Sequence, residues 1–149
     1  DVYKRQPQDA AAATAESDSI EARQMAKEEA FLAQKAKEPG IQSLGGGLLY
    51  KVLRAGKGAQ PTSTSMVTVD YEGKLIDGTI FDSSYQRGES ANFPVSGVVP
   101  GWQITLKAMH EGDEWEVYIP QYLGYGANAS GNIPPYSTLI FKIALKSVD

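Results

Sequence analysis

His110 is the single histidine of the chain and cysteine is absent. The two side chains that most often carry acid–base and nucleophilic chemistry near neutral pH are therefore almost missing. A Ser-His-Asp arrangement or a histidine metal site would have to be built on His110, and KAMHEGD offers no partner at a suitable spacing. The plain reading is a solvated residue at a helix end, where partial positive charge suits the helix dipole. Zero cysteine excludes disulfides, thiolate catalysis and Cys-based metal sites. GKG at 56–58 fails as a phosphate loop, because Lys51 stands where GxxxxGK needs its first glycine. Asn128-Ala129-Ser130 matches a glycosylation sequon, a triplet common by chance. Asp113, Glu114 and Glu116 offer carboxylate pairs, but Glu114 and Glu116 alternate with Trp115 and Val117, as the polar face of a strand does. The expectation is a chain with no metal site and no cofactor.

What remains is aromatic. Tyr71, Phe81, Phe93, Trp102, Tyr125, Tyr136 and Phe141 are spread over the strand-like blocks and one long loop. Taken singly, an aromatic on an inward strand face is ordinary core. As a set they say more: Phe81 is followed by Asp82, and Tyr125 sits in GYGANASGNIPP, a Gly-rich loop that a core residue does not require. Trp102 is unusual in coming directly after Pro100-Gly101, at the end of FPVSGVVPGW.

The elements that must position these residues are legible from periodicity. Val67, Val69 and Tyr71 share one strand face; Trp115, Val117 and Ile119 define another; Leu139, Phe141, Ile143 and Leu145 a long last one. Leu48, Tyr50 and Val52 alternate with Leu49, Lys51 and Leu53. Asp77-Gly78 between KLI and TIF predicts a hairpin with a type I′ turn. Trp102, Leu106 and Met109, at i, i+4 and i+7 with Gly112 as the stop, predict one short amphipathic helix. Trp102 would open that helix and point at the concave side of the sheet. The reading is an α+β fold in which a curved antiparallel sheet wraps on one short helix.

Ahead of this lies a different composition. Residues 1–15 are polar and Ala-rich without periodicity, and read as disordered or weakly helical. Asp18 with Glu21 resembles a capping box opening a helix rich in good formers, which Pro39-Gly40 stops. Its thin stripe of Met25, Phe31 and Leu32 leaves two readings open, a solvated linker or a dimerisation or docking helix. GGG at 45–47 reads as a flexible joint, so the chain divides into 1–44 and a domain at 45–149.

Composition narrows the function classes. Apolar residues make up 42% and charged residues 21% of 149, ordinary for a globular chain. A net charge of −4 and a pI near 5.0 supply no basic footprint, so nucleic acid is discounted as a partner. No apolar run approaches the roughly 18 residues of a membrane span. The first residue is Asp and the opening DVYKRQPQ is not a signal peptide, which suggests a processed or partial chain with an upstream targeting segment elsewhere.

The blocks VDYEGKLIDGTIFDSS, FPVSGVVPGW, GYG and NIPPYSTLIFKIAL, in this order and spacing, closely resemble the FKBP-type peptidyl-prolyl isomerases over about 45–149. The preceding EAFLAQKAKEPGIQSLGGGLLYKVLRAGKG is similar to the helix-to-domain junction of the bacterial macrophage infectivity potentiator branch, cell-envelope proteins that dimerise through helices further upstream. The resemblance implies a prolyl cis/trans isomerase acting on proline-containing polypeptide during folding, in the periplasm or cell envelope, with the cytoplasm as the alternative. Macrolides are implied as inhibitors, and a homodimer through upstream sequence, this chain alone being expected as mainly a monomer. It makes Tyr71, Phe81, Phe93, Trp102 and Phe141 the walls and floor of a proline pocket, with Val98, Val99 and Ile133 at its rim. The Val99 N–H and the Tyr125 hydroxyl would bind ligand carbonyls, and Asp82 and Arg87 form the polar side. Three departures bear on the rim: Ala91 stands where eukaryotic members often carry Phe, Asn132 replaces an Ile, and the loop has no His. A different class of function stays open beside this one, a non-catalytic peptide-binding or holdase chaperone module using the same groove.

Overall fold

The computed structural model describes the backbone of residues 12–126 and 133–148, and side chains from residue 22 onward within those ranges. The Asn128 sequon, Asn132 and most of the polar segment at 1–15 lie outside the described residues.

Seven antiparallel strands form one open sheet: β1 (Ile41–Gly45), β2 (Leu48–Arg54), β3 (Met66–Lys74), β4 (Ile80–Ser83), β5 (Ala91–Pro94), β6 (Glu114–Ile119) and β7 (Leu139–Val148). The order is β1-β2-β6-β7-β3-β4, with β5 also paired to β3. Helix α3 (Pro100–Ala108) covers one face, in an α+β arrangement as expected. The expected inward residues are all buried: Val67, Val69 and Tyr71 on β3, Trp115, Val117 and Ile119 on β6, and Leu139, Phe141, Ile143 and Leu145 on β7 pack into one core with Trp102, Leu106 and Met109. Alternation holds less well on β2. Leu48 enters this core, whereas Val52 and Leu53 are exposed and Leu49 joins a second cluster on the opposite face.

Two turns differ from the sequence reading. GGG is a hairpin turn rather than a flexible joint: Gly45 pairs with Leu48, and Gly46 and Gly47 between them both have positive φ, as a type I′ turn requires. At Asp77-Gly78 only the glycine has positive φ. Leu75 and Thr79 close a three-residue loop, with Gly78 N–H also donating to the Leu75 carbonyl and Asp77 Oδ1 accepting from Thr79 N. That is the longer hairpin turn in which an αL glycine follows an ordinary turn, so Asp77 avoids the left-handed conformation.

Helix α1 (Ala12–Lys35) starts before Asp18, since AATAES is itself made mostly of helix formers, so Asp18 lies inside the helix rather than at its cap. Nor is it a solvated linker. Phe31 and Leu32 pack on Leu49, Tyr118 and Ile140, and Lys35 lies over the Phe31 and Tyr118 rings at 5.5 and 5.1 Å. Glu28 is buried, 4% exposed, and accepts a hydrogen bond from Thr138 N at 2.6 Å. The thin stripe therefore docks on the back of the sheet of its own chain.

GKG owes its glycines to packing. A Cβ at Gly56 would lie 2.4 Å from the Glu111 carbonyl oxygen, and the buried Asp113 carboxylate accepts from the Gly56 and His110 amides. His110 itself stands half exposed beyond the end of α3. Helix α3 ends at Ala108, before Gly112, whose φ of +98° instead turns the chain so that its N–H reaches the Leu145 carbonyl.

The close seat of α3 depends on Gly101, where a Cβ would sit 2.5 Å from Ile119 Cγ2. Gly101→Ala should lift the helix start and cost about 1–3 kcal/mol, the usual range for overpacking. Urea unfolding checks this, and an unchanged midpoint would show that the approach is not tight.

Candidate functional site

Each aromatic of the site is supplied by a different stretch of chain. Tyr71 comes from β3, Phe81 from β4, Phe93 from β5, Trp102 from the first turn of α3 and Phe141 from β7. Trp102 stands at their centre: Tyr71, Phe93 and Phe141 meet it edge to face with centroids 5.2, 5.6 and 5.1 Å away. Such contacts contribute about 0.5–1.5 kcal/mol each beyond the area they bury. Pro100 at the helix start fixes the backbone entry and Gly101 admits the helix against Ile119, so the spacing P-G-W seats the indole.

The rings enclose a cavity of about 530 Å³, lined by Tyr71, Phe81, Asp82, Phe93, Gly97, Val98, Val99, Trp102, Tyr125, Ile133 and Phe141. Every site residue named from the sequence lines it except Arg87, which stands behind Asp82. Gly97 was not anticipated; a Cβ there would fall 2.9 Å from Pro94 Cγ, a constraint that sequence pattern does not announce. Ala91 is partly buried against the core and does not belong to this lining. Gln103 Nε2 donates to the Val98 carbonyl at 2.8 Å, tying the Val98-Val99 segment to α3. The Val99 carbonyl accepts from the Trp102 and Gln103 amides, while its own N–H has no acceptor among the described residues. Tyr125, 36% exposed, stands at the edge.

Phe81 and Asp82 are adjacent, so on a regular strand they would point to opposite faces. Both face the cavity because β4 carries an extra residue against β3: Gly73 pairs with Asp82 and Lys74 with Ile80, leaving Phe81 between them. Gly73 also pairs with Phe141 on the other side. A Cβ at Gly73 would lie 2.6 Å from Phe141 Cε1 and 2.7 Å from Phe81 Cζ, so the two rings occupy the space where its side chain would be.

One turn of helix completes the polar wall. Ser83 caps α2 (Ser84–Arg87) by accepting from Gln86 N, Ser84 Oγ accepts from Tyr71 N at 2.8 Å, and Gly88 ends the turn with φ 76°. Arg87 is thereby returned to Asp82, pairing with Oδ1 while the Tyr71 hydroxyl donates to Oδ2. Arg87 Nη2 also donates to the Tyr71 oxygen at 2.9 Å. Burial raises the Asp82 pKa, but the bonds from Tyr71 and Arg87 outweigh it and hold the carboxyl below its ordinary range. Burial first, and then the bond to Asp82, push the Tyr71 phenol up, so it remains a donor. The cavity is thus an aromatic bowl with one polar side, whose single carboxylate has both oxygens engaged. Among the described residues no group of three or more His, Asp or Glu is placed to hold a metal ion.

Comparison with known proteins identifies the family. Residues 57–146 match the profile described as FKBP-type peptidyl-prolyl cis-trans isomerase, and residues 2–52 that of the domain amino-terminal to it. The chain belongs to the FKBP-type peptidyl-prolyl cis-trans isomerase family. The peptidyl-prolyl cis-trans isomerase Mip of Coxiella burnetii is 51% identical over 123 residues, 82% of this chain and 54% of that protein. The outer membrane protein MIP of Legionella longbeachae is 50% identical over 124, covering 83% and 53%. The crystal structure of FkpA from Escherichia coli superposes with a TM-score of 0.85 at 41% identity, over 92% of this chain and 64% of that one. The chain spans about half the length of the curated relatives it matches.

Because the folded Asp82 pKa is lowered, its contribution is present above the ordinary value of 3.8 and is lost as pH falls through the lowered one. With 41% of the side chain exposed, screening keeps that contribution small. Near-UV circular dichroism of the aromatic bowl should stay constant from about pH 8 to about pH 5. A transition centred above pH 5 that Asp82→Asn abolishes would contradict the assignment.

Proposed function

We propose that this chain is a peptidyl-prolyl cis/trans isomerase that accelerates rotation of Xaa-Pro bonds in polypeptide clients during folding. One observation carries the reading: Trp102, ringed by three aromatic edges, lies at the base of a cavity walled by aromatic and aliphatic side chains, with Asp82 and Tyr125 supplying its polar groups. The barrier to be lowered is roughly 18–20 kcal/mol and arises from amide resonance, so neither nucleophile nor base is needed. The planar amide holds more charge separation than the twisted one, and water favours the planar form accordingly. An aromatic bowl that replaces this water withdraws solvation mainly from the ground state. Each tenfold of rate takes about 1.4 kcal/mol of that difference.

In this mechanism the proline ring rests on Trp102 between Tyr71, Phe81, Phe93 and Phe141, with Val98 and Ile133 at the rim. The Val99 N–H, which has no acceptor among the described residues, and the Tyr125 hydroxyl hold the flanking carbonyls, so that rotation is confined to the prolyl bond. Asp82 forms the polar side of the bowl, and Arg87 positions Asp82 and Tyr71. Macrolides that present a proline-like ring and carbonyls would take the same seat. Residues 45–149 as the isomerase domain and 1–44 as the remnant of a dimerisation region belong to the same proposal; the two family matches, to residues 2–52 and 57–146, support a division into two parts, with the change falling between 52 and 57. Pairing of two copies through sequence outside this chain belongs to the same proposal. An envelope location is supported by the likeness to the outer membrane protein MIP of Legionella longbeachae.

Exchange measured on a short Xaa-Pro peptide tests the reading. The chain should accelerate it, whereas suppression of client aggregation with no acceleration would leave only a holdase. Trp102→Ala should abolish most of the acceleration and cost about 3–5 kcal/mol of stability, the range for deleting a large core side chain. Tyr125→Phe should leave stability nearly intact and weaken peptide binding by roughly 1 kcal/mol, the net worth of one hydrogen bond. Calorimetry decides the second, and equal affinity would remove Tyr125 from the site.

A further inference from the structure

We infer that Glu28 of α1 is a positioning residue for the cavity rim, an inference that rests on the isomerase reading for its kinetic consequence but not for its structural one. The segment from Ile133 to Thr138 joins the cavity to β7: Ile133 lines the bowl and Phe141 follows three residues after Thr138. Its backbone is held under strain. Tyr136 has φ 61°, the only positive φ of a non-glycine among the described residues, a conformation that costs a residue with a Cβ and persists only where the surroundings over-determine it. Three contacts do so. Tyr136 N–H donates to the Gly126 carbonyl at 2.7 Å, Ser137 Oγ donates to the Pro134 carbonyl at 2.7 Å, and Thr138 N–H donates to Glu28 Oε1 at 2.6 Å.

The third contact is unlike the others because it reaches 110 residues along the chain to a helix outside the sheet. Both partners are buried, Thr138 fully and Glu28 to 4% exposure, and Gln24 Nε2 engages the other carboxylate oxygen at 2.8 Å. Phe31 and Leu32, one turn on, anchor the same helix to Leu49, Tyr118 and Ile140. The carboxylate is thus delivered from a docked helix to a backbone amide that is sealed from water. Losing it leaves that amide unsatisfied and releases one of three constraints on a strained segment. The helix on the back of the sheet and the rim of the bowl are in this way mechanically joined.

Amide hydrogen exchange and steady-state kinetics on this chain test the joint together. Glu28→Ala should speed exchange at Thr138 and Ile133 selectively by roughly five- to hundredfold, and raise KM for an Xaa-Pro peptide by about three- to tenfold with kcat within about twofold. Glu28→Gln, which keeps an oxygen acceptor of the same reach, should restore both readouts, and Glu29→Ala, an exposed neighbour on α1, should change neither. Where Glu28→Ala does not fold, Glu28→Asp, one methylene short of Thr138, takes its place with the same directions. A folded Glu28→Ala or Glu28→Asp protein with parental exchange at Ile133 overturns the inference. So does acceleration spread evenly over the sheet, which would mark Glu28 as a general stabiliser. If the parent chain fails to isomerise the peptide, the isomerase reading falls while the exchange pattern still decides the joint.

Discussion

Two aromatic rings stand where a side chain at Gly73 would be, and the site depends on that vacancy. β3 runs between β4 and β7 with Gly73 opposite Asp82 on one side and Phe141 on the other. The missing Cβ lets Phe81 and Phe141 lean together over the strand, their centroids 5.5 Å apart and edge to face. Phe141 then meets Trp102, and Trp102 meets Tyr71 and Phe93. A bulky residue at this one position would push two walls of the cavity at once, because close-packed interiors transmit strain instead of absorbing it.

The chemistry of the bowl follows from what its polar groups are already doing. Asp82 is committed on both oxygens, to Arg87 and to Tyr71, and the Tyr71 hydroxyl is committed in turn to Asp82. No group in the lining is poised as an acid or base, and the described protein leaves the Val99 N–H without an acceptor. An environment of this kind suits a reaction whose barrier lies in solvation and rotation. It does not suit one that must move a proton, which accords with a chain carrying one histidine and no cysteine.

Docking of α1 changes the sense of the amino-terminal segment. A helix with so narrow an apolar stripe gains little by propensity alone, yet it packs Phe31 and Leu32 on the back of the sheet and lends a carboxylate to the Thr138 amide just ahead of β7. Loops near a site are drawn from the less stable parts of a fold, and a helix bracing one of them from behind compensates for that without occupying the cavity mouth.

Local pattern made much of the molecule readable in advance. The inward faces of β3, β6 and β7 and the short helix carrying Trp102, Leu106 and Met109 were visible because period-two and period-3.6 burial are written residue by residue, and the family was visible from the resemblance of its motif blocks. Tertiary structure alone decided the rest. GGG became a tight hairpin turn and Asp77-Gly78 a three-residue loop, since turn type depends on how the flanking strands pair. Adjacent Phe81 and Asp82 share one cavity only because of a bulge in pairing with β3, which no single-strand periodicity can contain. The reach of Glu28 to Thr138, and the return of Arg87 to Asp82 and Tyr71, are contacts between distant or folded-back segments. Sequence records which side chains are available for such contacts, but which backbone groups are left in need of a partner is settled only when the sheet closes around them.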